Sequence, residues 1–291
     1  MPINGFVNVL KPPGMTSHDV ISCMRRIYRT KKIGHAGTLD PAAAGVLPVA
    51  VGHATRLLEY MADTDKSYRA EVVLGIGTDT DDDTGSILRQ ENFIMPETAL
   101  LKTVLKSFCG EIMQVPPAYS AIKINGQKAY ELARQNIEVK IAPRRINIYG
   151  IELLGCMENG FSMDVDCSKG TYIRSLCADI GKALNIPAVM GFLLRTRAGA
   201  FRLAEANTLE ELSQDPAAFV QGMDILRGTM ETCDINDEML ADFYQGRKIE
   251  YNGEINDGTA LLIYCGDIFA GIGKVSDGGA AIAPHKVFNN K

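Results

Sequence analysis

The chain has 291 residues, of which 46% are hydrophobic and 22% charged, and these values are typical of a folded protein with one large or two smaller domains. Its net charge of −5 does not by itself indicate a nucleic-acid binder. The charge is uneven, however: residues 1–202 carry 24 Lys+Arg against 20 Asp+Glu, and residues 203–291 carry six against 15. The sequence therefore predicts a mildly basic body followed by an acidic C-terminal segment.

The sequence argues against a membrane protein and against a protein held together by disulfides. No apolar run reaches the roughly 18 residues that a membrane helix needs, and the N-terminal stretch has no basic start or apolar run of a signal peptide. We therefore expect a cytoplasmic protein without membrane association. Seven cysteines without a Cys-x-x-Cys pair argue against a disulfide framework and a cysteine zinc site, and favour buried, reduced thiols.

Hydrophobic periodicity predicts mixed strands and helices along residues 1–202. Strands are expected over 6–10, 68–75, 161–167 and 191–201, and residues 142–154 are expected to be a basic turn that enters a strand. Helices are expected from Thr16 or Ser17 to about residue 29, over 53–63 and 97–108, and after Thr171, which can cap the last of them. Short strands broken by Gly and Asp turns follow near the C-terminus. Because strands and helices do not alternate regularly, an α+β fold is favoured over a doubly wound one.

Motif searches for metals and phosphates give no match. The chain lacks His-Glu-x-x-His and Gly-x₄-Gly-Lys-[Ser/Thr], and the acidic loop 78–85 lacks the Gly and Glu that a calcium loop beginning at Asp79 requires. If the protein is an enzyme, these absences predict an activity that uses neither a cofactor nor a metal.

Three residues have both a structural and a chemical interpretation. Asp40, in "GHAGTLDPAAAGVLP", precedes Pro41 and would by local rules be a helix N-cap. Arg174 lies in the first turn of a predicted helix, where positive charge is unfavourable unless an anion such as Asp40 or an RNA phosphate lies nearby. Tyr68 falls on the apolar face of its strand, which fits a core residue or a surface for stacking a base.

Taken in order, several segments resemble the TruB-type tRNA pseudouridine synthases. They are "KPPGMTS" (11–17), "GHAGTLDPAAAGVLPVAVGHATR" (34–56), "DKSYR" (65–69), "CSKGTYIRSL" (167–176) and "LLRTRAGAF" (193–201). The resemblance runs from about residue 4 to residue 202. It implies an α+β catalytic domain on a mixed, mostly antiparallel sheet with flanking helices.

The resemblance implies that uridine 55 in the T-loop of tRNA is isomerised to pseudouridine. The enzyme would flip the uridine out, break the C1′–N1 glycosidic bond, rotate the uracil and rejoin it through C5, without cofactor or metal. Asp40 matches the catalytic aspartate, for which attack on C6, attack on the ribose and proton abstraction from C2′ are alternatives. Arg174 matches its ion-pair partner, and Tyr68 the tyrosine that stacks on the base and assists proton transfer.

Further site residues are carried over from the family in the same way. His35 matches the histidine that fills the space left by the extruded bases, and Lys11, Tyr172 and Leu193 match positions around the pocket. A basic insertion at about 116–146 matches the RNA-gripping segment of the family. Its expected phosphate contacts are Lys123, Lys128, Arg144 and Arg145.

The resemblance also sets expectations for domains and partners. It divides the chain into a catalytic domain (1–227) and a small PUA-like β-barrel (228–291), whose acidity speaks against a strong grip on RNA. The expected partner is the tRNA T-stem-loop, with no obligatory protein partner and a monomeric state. The alternative function is a catalytically inactive RNA-binding or tRNA-folding protein, which would not need Asp40, Tyr68 and Arg174 together.

Overall fold

The computed structural model describes residues 3–120, 122–124, 126–133, 135, 137 and 141–289. The helices are α1 (Ser17–Ile27), α2 (Leu58–Ala62), α3 (Thr98–Ser107), α4 (Ala129–Ala133), α5 (Ile173–Leu184), α6 (Leu209–Gln214) and α7 (Asp237–Tyr244). The strands up to residue 202 are β1 (Gly5–Lys11), β2 (Ile33–His35), β3 (Ala44–Val51), β4 (Lys66–Leu74), β5 (Ile76–Thr78), β6 (Ile87–Gln90), β7 (Gly110–Gln114), β8 (Lys123–Ile124), β9 (Gln127–Lys128), β10 (Arg144–Met157), β11 (Gly160–Cys167), β12 (Ala188–Ala198) and β13 (Phe201–Arg202). Strands β14 (Thr232–Asp234), β15 (Ile249–Glu250), β16 (Ala260–Cys265), β17 (Ile268–Ser276) and β18 (Ala281–Val287) follow.

One large sheet organises the first two thirds of the chain. Its strand order is β1-β3-β12-β4-β11-β10-β7, with β2 added to β3 and β13 added to β12. The β3–β12 pair is parallel, and the other neighbouring pairs are antiparallel. The predicted α+β class with a mixed, mostly antiparallel sheet is therefore confirmed.

Strand β11 shows how the sequence pattern builds the sheet. Its apolar residues Phe161, Met163, Val165 and Cys167 are all buried and pack in one cluster with residues of α3 and α5. The alternate residues are polar and lie on the other face, as period-two alternation requires. Helix α1 covers the far end of the sheet through a second cluster with β1 and β3.

The C-terminal segment forms a second sheet of five strands in the order β14-β16-β17-β18-β15. This order is an open path that ends at β14 and β15, so the expected closed PUA-like barrel is not confirmed. The sheet has an apolar core of its own with α7. A further buried cluster combines its side chains, such as Tyr264 and Phe288, with Phe6 and Leu57 from the first part of the chain.

Two helix-cap predictions are wrong. Asp40 does not cap a helix: after Pro41 the chain bends and enters β3 at Ala44, which pairs in parallel with β12. Thr171 does not cap α5, because its hydroxyl donates to the Ser168 carbonyl and the N-cap is the next residue.

Other local predictions need smaller corrections. The helix expected over 53–63 is a 3₁₀ segment (Gly52–Leu57) followed by the short α2. All seven cysteines are free, but only Cys167 and Cys177 are buried, and Cys109 and Cys156 are exposed. Within the described part of the chain, the search for a helix long and apolar enough to cross a membrane finds none.

Candidate active site

Residues 36–46 carry Asp40 and are called the Asp40 loop below: they comprise the connection between β2 and β3 and the first three residues of β3. Leu39, just before the aspartate, exchanges two hydrogen bonds with the buried Ser17 hydroxyl at the start of α1: its N–H donates at 2.9 Å and its carbonyl accepts at 3.1 Å. After the aspartate, the Ala43 N–H donates to the Asp40 carbonyl at 3.1 Å and closes a turn. The Asp40 side chain remains 38% exposed, so its carboxylate is fixed at its base and open toward solvent.

Arg174 forms a two-pronged ion pair with this carboxylate. Its Nε lies 3.0 Å from Asp40 Oδ2 and its Nη2 lies 3.5 Å from Oδ1, while the arginine side chain is only 7% exposed. A planar guanidinium that meets a carboxylate along one edge fixes its orientation as well as its charge environment. The arginine lies in the first turn of α5, so carboxylates rather than bulk solvent face the cation there.

Other groups hold the guanidinium from its remaining sides. Its Nη1 donates to the Thr80 carbonyl at 3.1 Å, and its Nη2 donates to the Tyr119 carbonyl at 2.8 Å. Asp82 of the acidic loop lies 3.9 Å from Nη1 and is itself held by Thr80 and Thr84 hydroxyls. The acidic loop 78–85 thus forms part of the wall behind the ion pair.

Helix α5 begins against the end of β7. The buried Gln114 side chain accepts a hydrogen bond from the Tyr172 N–H at 2.8 Å and donates to the Tyr172 carbonyl at 3.0 Å. Tyr172 is the N-cap residue and makes no side-chain cap, so Gln114 holds the backbone of the residue at which the helix starts. They fix the first turn of the helix, and with it Arg174.

Tyr68 lies on β4, on the face of the sheet that α5 covers. It is 8% exposed and belongs to the same apolar cluster as Leu39 and Leu193. Burial raises the pKa of the Tyr68 hydroxyl, whereas the neighbouring Arg195 guanidinium lowers it. The hydroxyl is therefore protonated at neutral pH and is equipped to donate or relay a proton.

Lys11, which the resemblance places around the pocket, ends β1 and contacts the Asp40 loop. It is fully buried, and its ammonium donates to the carbonyls of Pro12, Pro41 and Ala43. Burial lowers the pKa of Lys11 to about 8, against a smaller upward effect of Asp40. All three of its donors are engaged by these carbonyls, so Lys11 holds the Asp40 loop in place.

His35 ends β2, directly before the Asp40 loop. Its Nδ1 is buried without a hydrogen-bond partner among the described residues, and burial lowers the pKa of the ring. A neutral imidazole is thus the form that this position favours.

The basic residues of the insertion lie near the surface. Lys123 in β8 is exposed, and Lys128 in β9 lies 5.4 Å from the Tyr130 ring centroid. Arg144 and Arg145 open β10 and are both exposed, and the latter pairs with Glu111 at 3.3 Å. Side chains at these positions are available to solution, as phosphate-binding residues need to be.

Sequence reasoning missed two side chains that organise the site. Gln114 gave no signal, because its role depends on a partner 58 residues away. Arg195 gave one: it follows Leu193 by two positions and so shares the buried face of the predicted strand. A charged residue at such a position is a reason to look for buried polar partners.

A groove of about 560 Å³ lies beside Tyr68 on the other face of the sheet. Its polar walls include Ser67, Asp166 and Arg197, and Arg197 already donates to the Ser67 hydroxyl at 2.9 Å and pairs with Asp166 at 3.5 Å. Asp40 does not line it. The charges in this groove neutralise one another, so we place the candidate site at the Asp40 loop instead.

The chemistry available at the Asp40 loop is that of one oriented carboxylate and one buried tyrosine hydroxyl. Within the described part of the chain, no group of three or more His, Cys, Asp or Glu residues is arranged to hold a metal ion. The geometry suits nucleophilic or proton-transfer steps on a substrate that enters from the open side of the carboxylate.

Family models match this part of the chain. "TruB family pseudouridylate synthase (N terminal domain)" matches residues 25–173, and "tRNA pseudouridylate synthase B C-terminal domain" matches residues 174–226. The chain belongs to the TruB family of pseudouridylate synthases. The segment that follows residue 226, including the five-stranded sheet, lies outside both matches.

Individual relatives agree with this membership. The tRNA pseudouridine synthase B of Caldanaerobacter subterraneus subsp. tengcongensis is 42% identical over 291 residues, covering 99% of this chain and 100% of the relative. That of Alkaliphilus oremlandii is 53% identical over 210 residues, covering 72% of this chain and 70% of the relative. Among solved structures, a chain of "a Cbf5-Nop10-Gar1 Complex" is 29% identical with a TM-score of 0.78, covering 98% of this chain and 85% of that one.

Proposed function

We propose that this TruB-family chain converts uridine 55 in the T-loop of tRNA to pseudouridine. The observation that carries the proposal is the partly open Asp40 carboxylate, oriented by the buried Arg174 fork at 3.0 and 3.5 Å. Relatives that are 42% and 53% identical and are named tRNA pseudouridine synthase B support tRNA as the substrate.

The reaction conserves every atom of the nucleotide. The C1′–N1 bond breaks, the uracil turns, and a C1′–C5 bond forms; N1 gains a proton and C5 loses one. Asp40 initiates the cleavage of the glycosidic bond as an anion, and a covalent step at this carboxylate would divide one high barrier into two lower ones. Arg174 keeps the carboxylate aimed at the substrate throughout.

Tyr68 has two roles in this proposal. Its ring forms the floor on which the flipped uracil stacks, beside Leu193 in the same apolar cluster. Its hydroxyl, protonated at neutral pH because burial raises its pKa, assists the transfer of the C5 proton. Tyr172, at the N-cap of α5 beside Arg174, borders the same pocket.

Access to the uridine requires base flipping, which costs a few kcal/mol. We assign His35 the space vacated by the extruded bases, and its neutral form suits stacking against nucleobases. Lys123, Lys128, Arg144 and Arg145 in the insertion at about 116–146 would hold the phosphates of the T-stem-loop. Lys11 acts through the Asp40 loop rather than on the RNA.

The domain division belongs to the proposal as well. We place the catalytic domain at residues 1–227 and a PUA-like module at 228–291. The end of the second family match at residue 226 and the separate apolar core of the five-stranded sheet support this division.

The direct test is to incubate the protein with a minimal T-stem-loop RNA and to map the modified nucleotide. We expect one pseudouridine, at the position equivalent to uridine 55, without added metal or cofactor. A T-stem-loop that is bound but never modified would favour the inactive RNA-binding alternative. Pseudouridine at another position would overturn the substrate assignment.

A further inference from the structure

Arg195 is a buried cation that has no role in the reaction proposed above. It lies in β12, is 1% exposed, and is among the largest fully buried side chains of the described residues. In the sheet, its backbone lies between the strand of Tyr68 and the end of the Asp40 loop. It pairs with Tyr68 on β4 and with Gly45 on β3.

The guanidinium binds the Asp40 loop on both sides of the aspartate. Its Nη2 donates to the Gly37 carbonyl at 3.0 Å, and its Nε donates to the Val46 carbonyl at 2.7 Å. These carbonyls lie three residues before and six residues after Asp40. One rigid, planar group therefore connects both ends of the loop, and it is rooted in the strand that pairs with Tyr68.

The backbone leaves little room for another arrangement at this contact. Gly45 has a φ of +109°, and a Cβ at that position would lie 2.2 Å from the Arg195 carbonyl oxygen. The loop thus approaches β12 closely enough for the guanidinium to reach over it. A small shift of β12 would be transmitted directly to Asp40.

Arg195 carries its charge without an ion pair. Among the described residues Arg195 forms no ion pair: its guanidinium donates to the Val46 and Gly37 carbonyls and interacts with the Tyr68 hydroxyl. A buried cation of this kind is costly, and an apolar side chain would fill a strand interior at lower cost. The hydrogen bonds that the guanidinium donates to the Asp40 loop offset part of this free-energy cost.

We propose that Arg195 is a positioning residue that holds the Asp40 loop in register with the Tyr68 strand, so that the carboxylate and the tyrosine meet the flipped uridine together. This inference rests on the proposed function. The guanidinium also lowers the pKa of the Tyr68 hydroxyl, so the same cation favours proton transfer at the tyrosine.

The test compares Arg195→Met and Arg195→Lys with the matched control Arg197→Met. Arg197 lies on the same strand, but its side chain is directed to the groove on the other face of the sheet. For each protein we would measure the melting temperature, the single-turnover rate at saturating T-stem-loop RNA, and the RNA concentration that gives half the maximal rate. Rates are measured well below the melting temperature of each variant.

We expect Arg195→Met to lose about 10²-fold in rate, the scale of a catalytic group displaced by about 1 Å. Its half-saturating RNA concentration should change less than about threefold, a small difference on the affinity scale. Arg195→Lys keeps the charge but lacks the fork, so it should recover part of the rate, and Arg197→Met should match the wild type.

A folded Arg195→Met with a wild-type rate overturns the inference, and so does a loss confined to RNA affinity. If Arg195→Met does not fold, Arg195→Lys decides: a wild-type rate in that variant overturns the inference, and a reduced rate at unchanged affinity supports it. The proposed function fails separately, since its failure appears as a wild-type protein that makes no pseudouridine.

Discussion

The Asp40 loop and the C-terminal sheet are built on opposite principles. Around the loop, Lys11, Arg174 and Arg195 are buried and are held by carbonyls or carboxylates. In the C-terminal sheet the buried residues are apolar, and ion pairs such as Lys248–Asp277 lie on the surface. Buried charge is expensive and belongs where orientation matters, whereas apolar packing mainly provides stability.

The contact between the two regions is itself apolar at its centre. Phe288 and Tyr264 from the C-terminal sheet pack with Phe6 and Leu57, and the Arg56 guanidinium lies 4.8 Å from the Phe288 ring centroid. We therefore expect changes at the loop to alter the reaction rate, and changes in the C-terminal sheet to alter stability.

The largest effect is expected for Asp40→Asn. The amide is nearly isosteric but uncharged, so pseudouridine formation should fall below detection in a tritium-release assay. Arg174 keeps its bonds to Thr80 and Tyr119, so melting temperature and RNA binding should stay near wild type. The control is Asp63→Asn, an exposed carboxylate paired with Lys169, which should keep full activity. Pseudouridine made by Asp40→Asn would refute the assignment of this carboxylate.

The second-largest effect is expected for Tyr68→Phe. The ring remains in its apolar cluster, but the hydroxyl is lost, so the single-turnover rate should fall about 10²-fold, at the lower end of general acid–base contributions. Tyr149→Phe is the matched control, because this tyrosine is exposed and its hydroxyl donates to Asp65. If both variants react at the wild-type rate, the Tyr68 hydroxyl has no part in proton transfer.

Phe288→Ala tests the expectation that changes in the C-terminal sheet alter stability rather than the reaction rate. Removal of this buried ring should lower the free energy of unfolding by about 3 kcal/mol, measured by denaturant titration. The rate of the folded fraction should stay within about twofold of wild type, a difference of less than 0.5 kcal/mol in barrier on the usual scale. Phe192→Ala, at a more exposed site, should cost much less stability. A large loss of rate in folded Phe288→Ala would show that the two regions are coupled.

The double variant Lys123→Gln/Lys128→Gln tests where RNA is gripped. It should weaken T-stem-loop binding. The plot of log affinity against log salt concentration should become less steep by about 1.5, the change expected for the loss of two phosphate contacts. The corresponding change in the C-terminal sheet, Lys248→Gln/Lys274→Gln, should leave the slope unchanged because that region is acidic overall. Equal slopes for the two double variants would contradict this division.

The smallest effect is expected for Lys11→Met as a function of pH. Burial lowers the pKa of Lys11 from 10.5 to about 8, so between these values the unfolded chain binds the proton and the folded chain does not. Raising the pH through this window therefore favours the folded wild type relative to the variant. The destabilisation caused by Lys11→Met, measured by urea titration, should be larger at about pH 9.5 than at about pH 7. A constant difference would mean that Lys11 is not perturbed by burial.

Much of the fold could be predicted from local pattern. Alternation gave β4 and β11, and the apolar stripe gave α5, because side-chain periodicity is a property of each segment alone. The errors at Asp40 and Thr171 have a common cause. Local capping rules favour a helix start, but at Asp40 the chain enters β3, which pairs in parallel with β12, and at α5 the Gln114 side chain holds Tyr172, which is the N-cap.

The family, the sheet-forming pattern and the candidates Asp40, Tyr68 and Arg174 can all be read from the amino-acid sequence, since they depend on residue type and order. The burial of Lys11 and Arg195 against the Asp40 loop is instead a consequence of the tertiary structure. Most of the carbonyl groups that they bind are 30 to 158 residues away along the chain. Carbonyl groups occur at every residue, so no sequence pattern marks the ones that a buried cation will find.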